Sequence, residues 1–297
     1  MCKTPHKDKL EAALNNPKCA NDLTLLNEAK TAYEIWINAM DTITAKGKEK
    51  VDKMVELLNT YKDTLEVDLI ATRGTDFIKR QKGQLKLDNS VLEEFLIHLV
   101  NKDIIEGLPT SFTLEKGPQK AFMSLSFMPE NVESLGGTPN LVIKTKDQDF
   151  TIGKNVYYKL SSDKDFAISQ TLSGDFFLAV LAAEVKVNYD KTMFQECSGT
   201  ASRLKQGCPI SKYYALVEYL DMQAEDCRLT DIDNVFLLRK AKRLPFEKRS
   251  VLSEVTKIHK DYPIDKEVVW SFVQEIQSFV KAIWYNPAKA LERGSFV

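Results

Sequence analysis

The stretch Ala182-Ala183-Glu184-Val185-Lys186-Val187-Asn188-Tyr189-Asp190-Lys191 decides how the chain folds. Its side chains alternate with the period of a β-strand, which sends Glu184 and Lys186 to one face and Ala183, Val185 and Val187 to the other. The apolar run upstream extends this strand over Phe176 to Val187. A helix is expected next, from Met193 to Gln206, stopped by Gly207 and Pro209. Further strands follow at Tyr213 to Leu220 and Val235 to Leu238, giving the strand–helix–strand order of a sheet with helices packed on it.

Upstream of that strand, short apolar or alternating runs at Leu141 to Ile143, Asp149 to Ile152 and Val156 to Leu160 read as strands separated by polar turns. Residues 107–140 carry loop signals: Pro109, Gly117-Pro118, Pro129, Gly136-Gly137 and Pro139. The first hundred residues read as helices. Leu25, Leu26, Ala29, Tyr33, Trp36, Ile37 and Met40 recur at helical spacing, as do Val51, Met54, Leu57, Leu58 and Tyr61 after a break at Lys46-Gly47-Lys48. Ser90 and Glu93 have capping-box spacing ahead of the stripe Val91, Leu92, Phe95, Leu96 and Leu99, with Glu94 and His98 at the border of the apolar face. A last helix carries Val268, Val269, Phe272, Ile276, Phe279, Val280 and Ile283 on one face and ends at Asn286-Pro287. The expected fold is α/β of the α+β type: a mixed central sheet flanked by helices, with a helical region over 1–105 packed on a core over 106–297.

With 297 residues, 43% hydrophobic and 28% charged, and a net charge of -1, the composition is that of an ordinary soluble protein. No apolar run is long enough to span a bilayer. The start, MCKTPHKDKL, lacks the apolar stretch of a secretory signal, so a cytoplasmic location is expected. Five cysteines without a C-x-x-C pair argue against a disulfide framework and a zinc ribbon. The near-neutral charge argues against a protein that coats nucleic acid, while allowing one that gathers basic residues in a cleft.

A carboxylate and an ammonium two residues apart on an apolar strand have a bland reading, an edge pair facing water. Their chemical reading is a phosphodiesterase site, where the carboxylate holds Mg²⁺ and the lysine orients water or offsets charge on phosphorus. Such a site needs a second acid from a neighbouring strand. Asp149 stands where a loop enters a strand, with Asp147, Asp165 and Asp175 as rivals. Basic residues that could meet phosphate fall in three groups: Arg73, Lys79, Arg80 and Lys82; Arg203 and Lys205; and the cluster Arg239, Lys240, Lys242, Arg243, Lys248 and Arg249, whose default reading is a solvated face.

The run E-V-K-V-N-Y-D-K from Glu184, the helix with Ser202, Arg203, Leu204 and Lys205, Y-Y-A-L-V-E-Y-L-D from Tyr213 and D-N-V-F-L-L-R-K from Asp233 resemble the Type II restriction endonucleases of the BbvCI kind, in the PD-(D/E)xK nuclease superfamily. The resemblance is densest over 149–240. It implies Glu184 and Lys186 as the second half of the motif and Asp149 as its leading acid, though Gln148 and Phe150 flank Asp149, so no Pro-Asp pair is present. It also implies Glu94 as a possible further acid from an early helix. The implied activity is Mg²⁺-dependent cleavage of double-stranded DNA at a short specific sequence by a homodimer or a pair of related subunits. The alternative is a DNA-binding or assembly protein with an inactive nuclease-like core.

Overall fold

The computed structural model describes residues 3–73, 85–109, 113–282 and 287–294. Helices α1 (Pro5–Leu14), α2 (Leu23–Asp41) and α3 (Gly47–Lys62) come first, α3 running on into a π-helical turn at Asp63–Ile70. Helix α4 (Leu87–Leu99) leads to strands β1 (Glu115–Phe127), β2 (Leu141–Ser161) and β3 (Thr171–Tyr189). Helix α5 (Lys191–Gly207) joins β3 to β4 (Lys212–Leu220), and β5 (Asn234–Lys242) precedes α6 (Leu252–Asp261), α7 (Lys266–Lys281) and α8 (Pro287–Arg293).

The five strands form one mixed sheet in the order β1-β2-β3-β4-β5. The first three pair antiparallel, and β4 and β5 add in parallel. Each face is covered. Leu181, Ala183 and Val185 of β3 enter a core with Phe95 and Leu96 of α4 and Phe272 of α7. Ala182 lies on the other face, with Tyr213, Ala215 and Val217, against Phe194, Cys197, Ala201 and Leu204 of α5. At about 1.5–3 kcal/mol for each fully buried large apolar side chain, these two layers fix which way β3 faces. Glu184 and Lys186 therefore share the α5 face.

Three local expectations change. The loop-like span 107–140 contains β1, whose Gly117-Pro118 becomes a bulge, with Gly117 at φ +105 and a register shift between Gly117 and Gln119. The runs 141–143, 149–152 and 156–160 are one strand: Gly153-Lys154-Asn155 does not turn but pairs with β3. A Cβ on Gly153 would come within 2.1 Å of the Leu178 carbonyl oxygen, so glycine is what lets the two backbones meet. Ser90 is not a helix cap. Helix α4 starts at Leu87 after Lys86 in the left-handed region (φ 48), and the Ser90 hydroxyl instead meets His6 Nδ1 at 2.8 Å.

The helices and the sheet are also joined through charge. Lys62, Glu218 and Arg239 are buried together: Glu218 Oε1 lies 2.6 Å from Lys62 Nζ and Oε2 lies 2.9 Å from Arg239 Nε. Arg239 thus leaves the solvated basic face in which its sequence neighbours suggest it belongs.

Candidate active site

Phe150 pairs with Ala183, which sets Asp149 of β2 level with Glu184 of β3. The Val185 N–H donates to Asp149 Oδ2 at 2.9 Å, fixing that carboxylate against the neighbouring strand. Lys186 Nζ then lies 2.5 Å from Glu184 Oε1 and 3.6 Å from Asp149 Oδ2. Two acids and one ammonium from adjacent strands converge on one point.

Each group is tuned by the others. Burial raises the Glu184 pKa above the usual carboxylate range, the Asp149 charge adds to the rise, and Lys186 and Lys146 oppose it. Burial works against the Lys186 charge, but Asp149 and Glu184 outweigh it and hold its pKa above the ordinary lysine value. Lys146, on β2, is anchored through a 2.5 Å hydrogen bond to Thr200 Oγ1 of α5. Below the site Cys197 lies among Tyr189, Tyr213 and Phe194, closing the α5 side with buried side chains.

Of the two adjacent glutamates on α4, the one beside Asp149 is Glu93. It lines the same cleft as Asp149, Asp147 and Gln148. Burial raises its pKa, as does the nearby Asp149 charge. Glu94, the acid expected from the sequence, points elsewhere and is fully buried. Its Oε2 accepts from the N–H groups of His6 (2.8 Å) and Lys7 (3.2 Å) in the first turn of α1, and its Oε1 from the Tyr33 hydroxyl at 2.5 Å. It is a buried cap on α1, a good use of an anion at a helix N-terminus.

The expected phosphate contacts fare unevenly. Lys79, Arg80 and Lys82 lie outside the described residues, as does the Arg73 side chain. Arg203 is exposed on α5. Lys205 is tied to Asp233 at 2.8 Å, beside the start of β4, whereas Glu184 and Lys186 pair with Ala215 and Val217 further along that strand. The structure does not bring Lys205 to the acidic pair. Sequence reasoning passed over Lys146, although Lys144-Thr145-Lys146 has strand alternation and its last lysine shares a strand with Asp149.

Among the described residues no group of three or more acids, histidines or cysteines is close enough to form a ready-made metal cage. Two carboxylates are still a fitting donor set for Mg²⁺, which keeps several waters and takes its remaining ligands from substrate phosphate. The raised pKa of Glu184 and the ammonium now lying between the two acids both mark a place that favours a cation.

The Bpu10I restriction endonuclease family matches residues 84–296, well over half of the chain. The chain belongs to this family. The matched span begins just ahead of α4 and takes in the whole sheet, so Glu93, Asp149, Glu184 and Lys186 all fall within the family region, while α1 to α3 lie before it. Among solved structures, the native BbvCI A2B2 tetramer at low resolution is similar in fold, with a TM-score of 0.66 at 21% identity over 94% of this chain and 97% of that one. No curated protein matches. The family carries the nuclease class, and the mixed sheet with its helical N-terminal region is the fold of a restriction endonuclease.

Proposed function

We propose that the chain is a subunit of a Type II restriction endonuclease that hydrolyses phosphodiester bonds in double-stranded DNA with Mg²⁺. The observation that carries this reading is the placement of Lys186 Nζ within 4 Å of carboxylates from two adjacent strands, Glu184 and Asp149, at the edge of a cleft. Asp149 and Glu184 would hold Mg²⁺, with Glu93 adding negative charge beside Asp149 from α4. Mg²⁺ bound there would draw charge from the scissile phosphate and ease ionisation of a water. Lys186 orients the attacking water with its N–H donors and offsets negative charge on phosphorus as the new P–O bond forms and the leaving oxygen departs. The Val185 N–H keeps Asp149 in place throughout, and Lys146 limits the repulsion between the acids.

Cutting both strands needs two such sites. The BbvCI assembly contains two kinds of chain, which supports reading this chain as one of a pair of related subunits.

Digestion of a sequenced plasmid with Mg²⁺, followed by end mapping, tests the reading. Discrete fragments are expected from the parent and none from Glu184→Gln or Lys186→Ala. A smear would indicate a non-specific nuclease. DNA binding without Mg²⁺-dependent cleavage would indicate an inactive nuclease-like core, and a Lys186→Ala protein that cuts as fast as the parent would sink the mechanism.

A further inference from the structure

Lys186 lines a second cleft, of about 610 Å³, that Asp149 does not line. Its walls come from the first turn of α4, the end of β3, the segment after β5, and α6. Two arginines from the segment after β5, Arg243 and Arg249, line it.

The backbone explains how they get there. β5 carries a bulge: Val217 pairs with Leu237 but Tyr219 with Ala241, and Lys240 at the bulge takes φ 49. Arg239 is turned into the interior towards Glu218, and the strand then resumes through Lys242. The Arg243 N–H continues the pairing to the Leu220 carbonyl, which returns its side chain to the cleft edge.

The basic cluster is sorted by its partners. Arg239 is held by Glu218, Lys240 by Asp265 and Lys248 by Glu254. Among the described residues, Arg243 and Arg249 have no carboxylate within ion-pair distance. Arg249 is held only by the Leu244 carbonyl, which accepts from Nε at 2.8 Å, and by the Phe246 ring, 5.8 Å from its guanidinium. Burial lowers the Arg249 pKa and the neighbouring Arg243 charge lowers it further, against the opposing charges of Asp221 and Glu247. Four acids also line the cleft: Glu66 is shared by Lys62 and His259, Asp190 caps α5 by accepting from the Met193 N–H, Asp88 feels the Arg243 charge without an ion-pair contact, and Glu196 is exposed on α5. Two guanidinium groups in one cleft, neither in ion-pair contact with a carboxylate among the described residues, suit the fork geometry of a phosphodiester.

We propose that Arg243 and Arg249 together form a clamp that grips a backbone phosphate of bound DNA next to Lys186. This rests on the nuclease reading and adds a contact that positions the strand without reading its sequence.

The test is binding of the full-length protein to a fluorescein-labelled DNA duplex, with Ca²⁺ in place of Mg²⁺, over a series of salt concentrations. In Arg243→Gln/Arg249→Gln the slope of log affinity against log salt should flatten by about 1.8, two contacts at about 0.9 each. Arg243→Lys/Arg249→Lys should keep the parent slope and bind several-fold more weakly, since it retains charge but loses the fork. If the glutamine pair has no melting transition, the single variants decide, each flattening the slope by about 0.9. An unchanged slope in the folded glutamine variants, or a flattened slope in the lysine pair, overturns the clamp while leaving the nuclease reading intact. A parent that binds DNA but shows no Mg²⁺-dependent cleavage overturns the nuclease reading, and a parent that fails to bind DNA at low salt overturns both.

Discussion

Replacing Glu218 with glutamine should cost more stability than any surface change in the molecule. Glu218 is the common anion of two fully buried cations, with Lys62 Nζ 2.6 Å from one oxygen and Arg239 Nε 2.9 Å from the other. In the variant Lys62 keeps Glu66, 2.5 Å away, but among the described residues Arg239 keeps the Tyr262 carbonyl at 3.1 Å, the face of Tyr219 and the charge of Glu66 beyond ion-pair distance. Breaking a buried pair by removing one partner costs about 3–5 kcal/mol, because the remaining charge stays desolvated. At roughly 2–4 °C per kcal/mol for a large domain, the melting midpoint should fall by about 6–20 °C. Circular dichroism melts of parent and variant measure this, and the difference should persist in high salt, since screening acts weakly on buried pairs. A second comparison isolates the cause. The triple variant Lys62→Met/Glu218→Leu/Arg239→Met removes Glu218 together with both of its cations, leaving Glu66 to His259 at 3.3 Å, and should melt well above Glu218→Gln, because an apolar set of similar volume often replaces a buried ion network without loss. A Glu218→Gln midpoint within about 2 °C of the parent, or a triple variant no better than the single one, would refute the reasoning. The network also reaches the site, since Lys62 Nζ donates to the Asp88 carbonyl at 3.0 Å where α4 begins, so Glu218→Gln should also slow cleavage through Glu93.

The two glutamates of α4 should separate cleanly. Glu94→Gln should lower stability by about 1.5–3 kcal/mol, the value of hydrogen bonds to a charged group, and leave cleavage per folded molecule unchanged. Burial raises the pKa of both acids, but among the described residues Glu93 accepts only from the Asn89 amide, a bond that glutamine can keep, so Glu93→Gln should barely move the melting midpoint yet reduce Mg²⁺-dependent cleavage more than tenfold; thermal melts with plasmid assays on both variants check this. Asp88 offers a pH test. Burial pushes its pKa up to about 6, with Glu66 and Glu218 adding to the rise and Lys62 and Arg243 opposing it. Its folded pKa is raised, so ionisation opposes folding above about pH 6 and the penalty vanishes below the ordinary aspartate range. Asp88→Asn should therefore gain on the order of 2–3 kcal/mol in urea unfolding at neutral pH and nothing near pH 3.5. An equal gain at both pH values would mean that charge is not the cause.

What could be read from the sequence, and what could not, follows the range of the interactions involved. The strand carrying Glu184 and Lys186 was legible because its alternation is local and both faces of the sheet are buried, which leaves one register. β1 was hidden because Gly117-Pro118 is a strong turn signal, and only pairing with β2 makes it a bulge. Gly153 misled for a similar reason: the close approach to Leu178 that demands a glycine involves a residue 25 positions away. The hardest distinctions were among like residues side by side. Glu93 and Glu94 differ by about 100° on a helix, and choosing between them requires knowing that the first turn of α1 docks on α4, a contact spanning 88 residues. The basic cluster poses the same problem. Six lysines and arginines look alike in sequence, and their roles are assigned by partners such as Glu218, Asp265 and Glu254, which take Arg239, Lys240 and Lys248 out of play. Among the described residues Lys242, Arg243 and Arg249 have no such partner, and of these only the two arginines line the cleft beside Lys186. Glu184 and Lys186 are thus placed by a strand whose alternation is visible in the chain itself, whereas Glu93 and the two arginines are brought to their clefts by contacts between segments far apart in sequence.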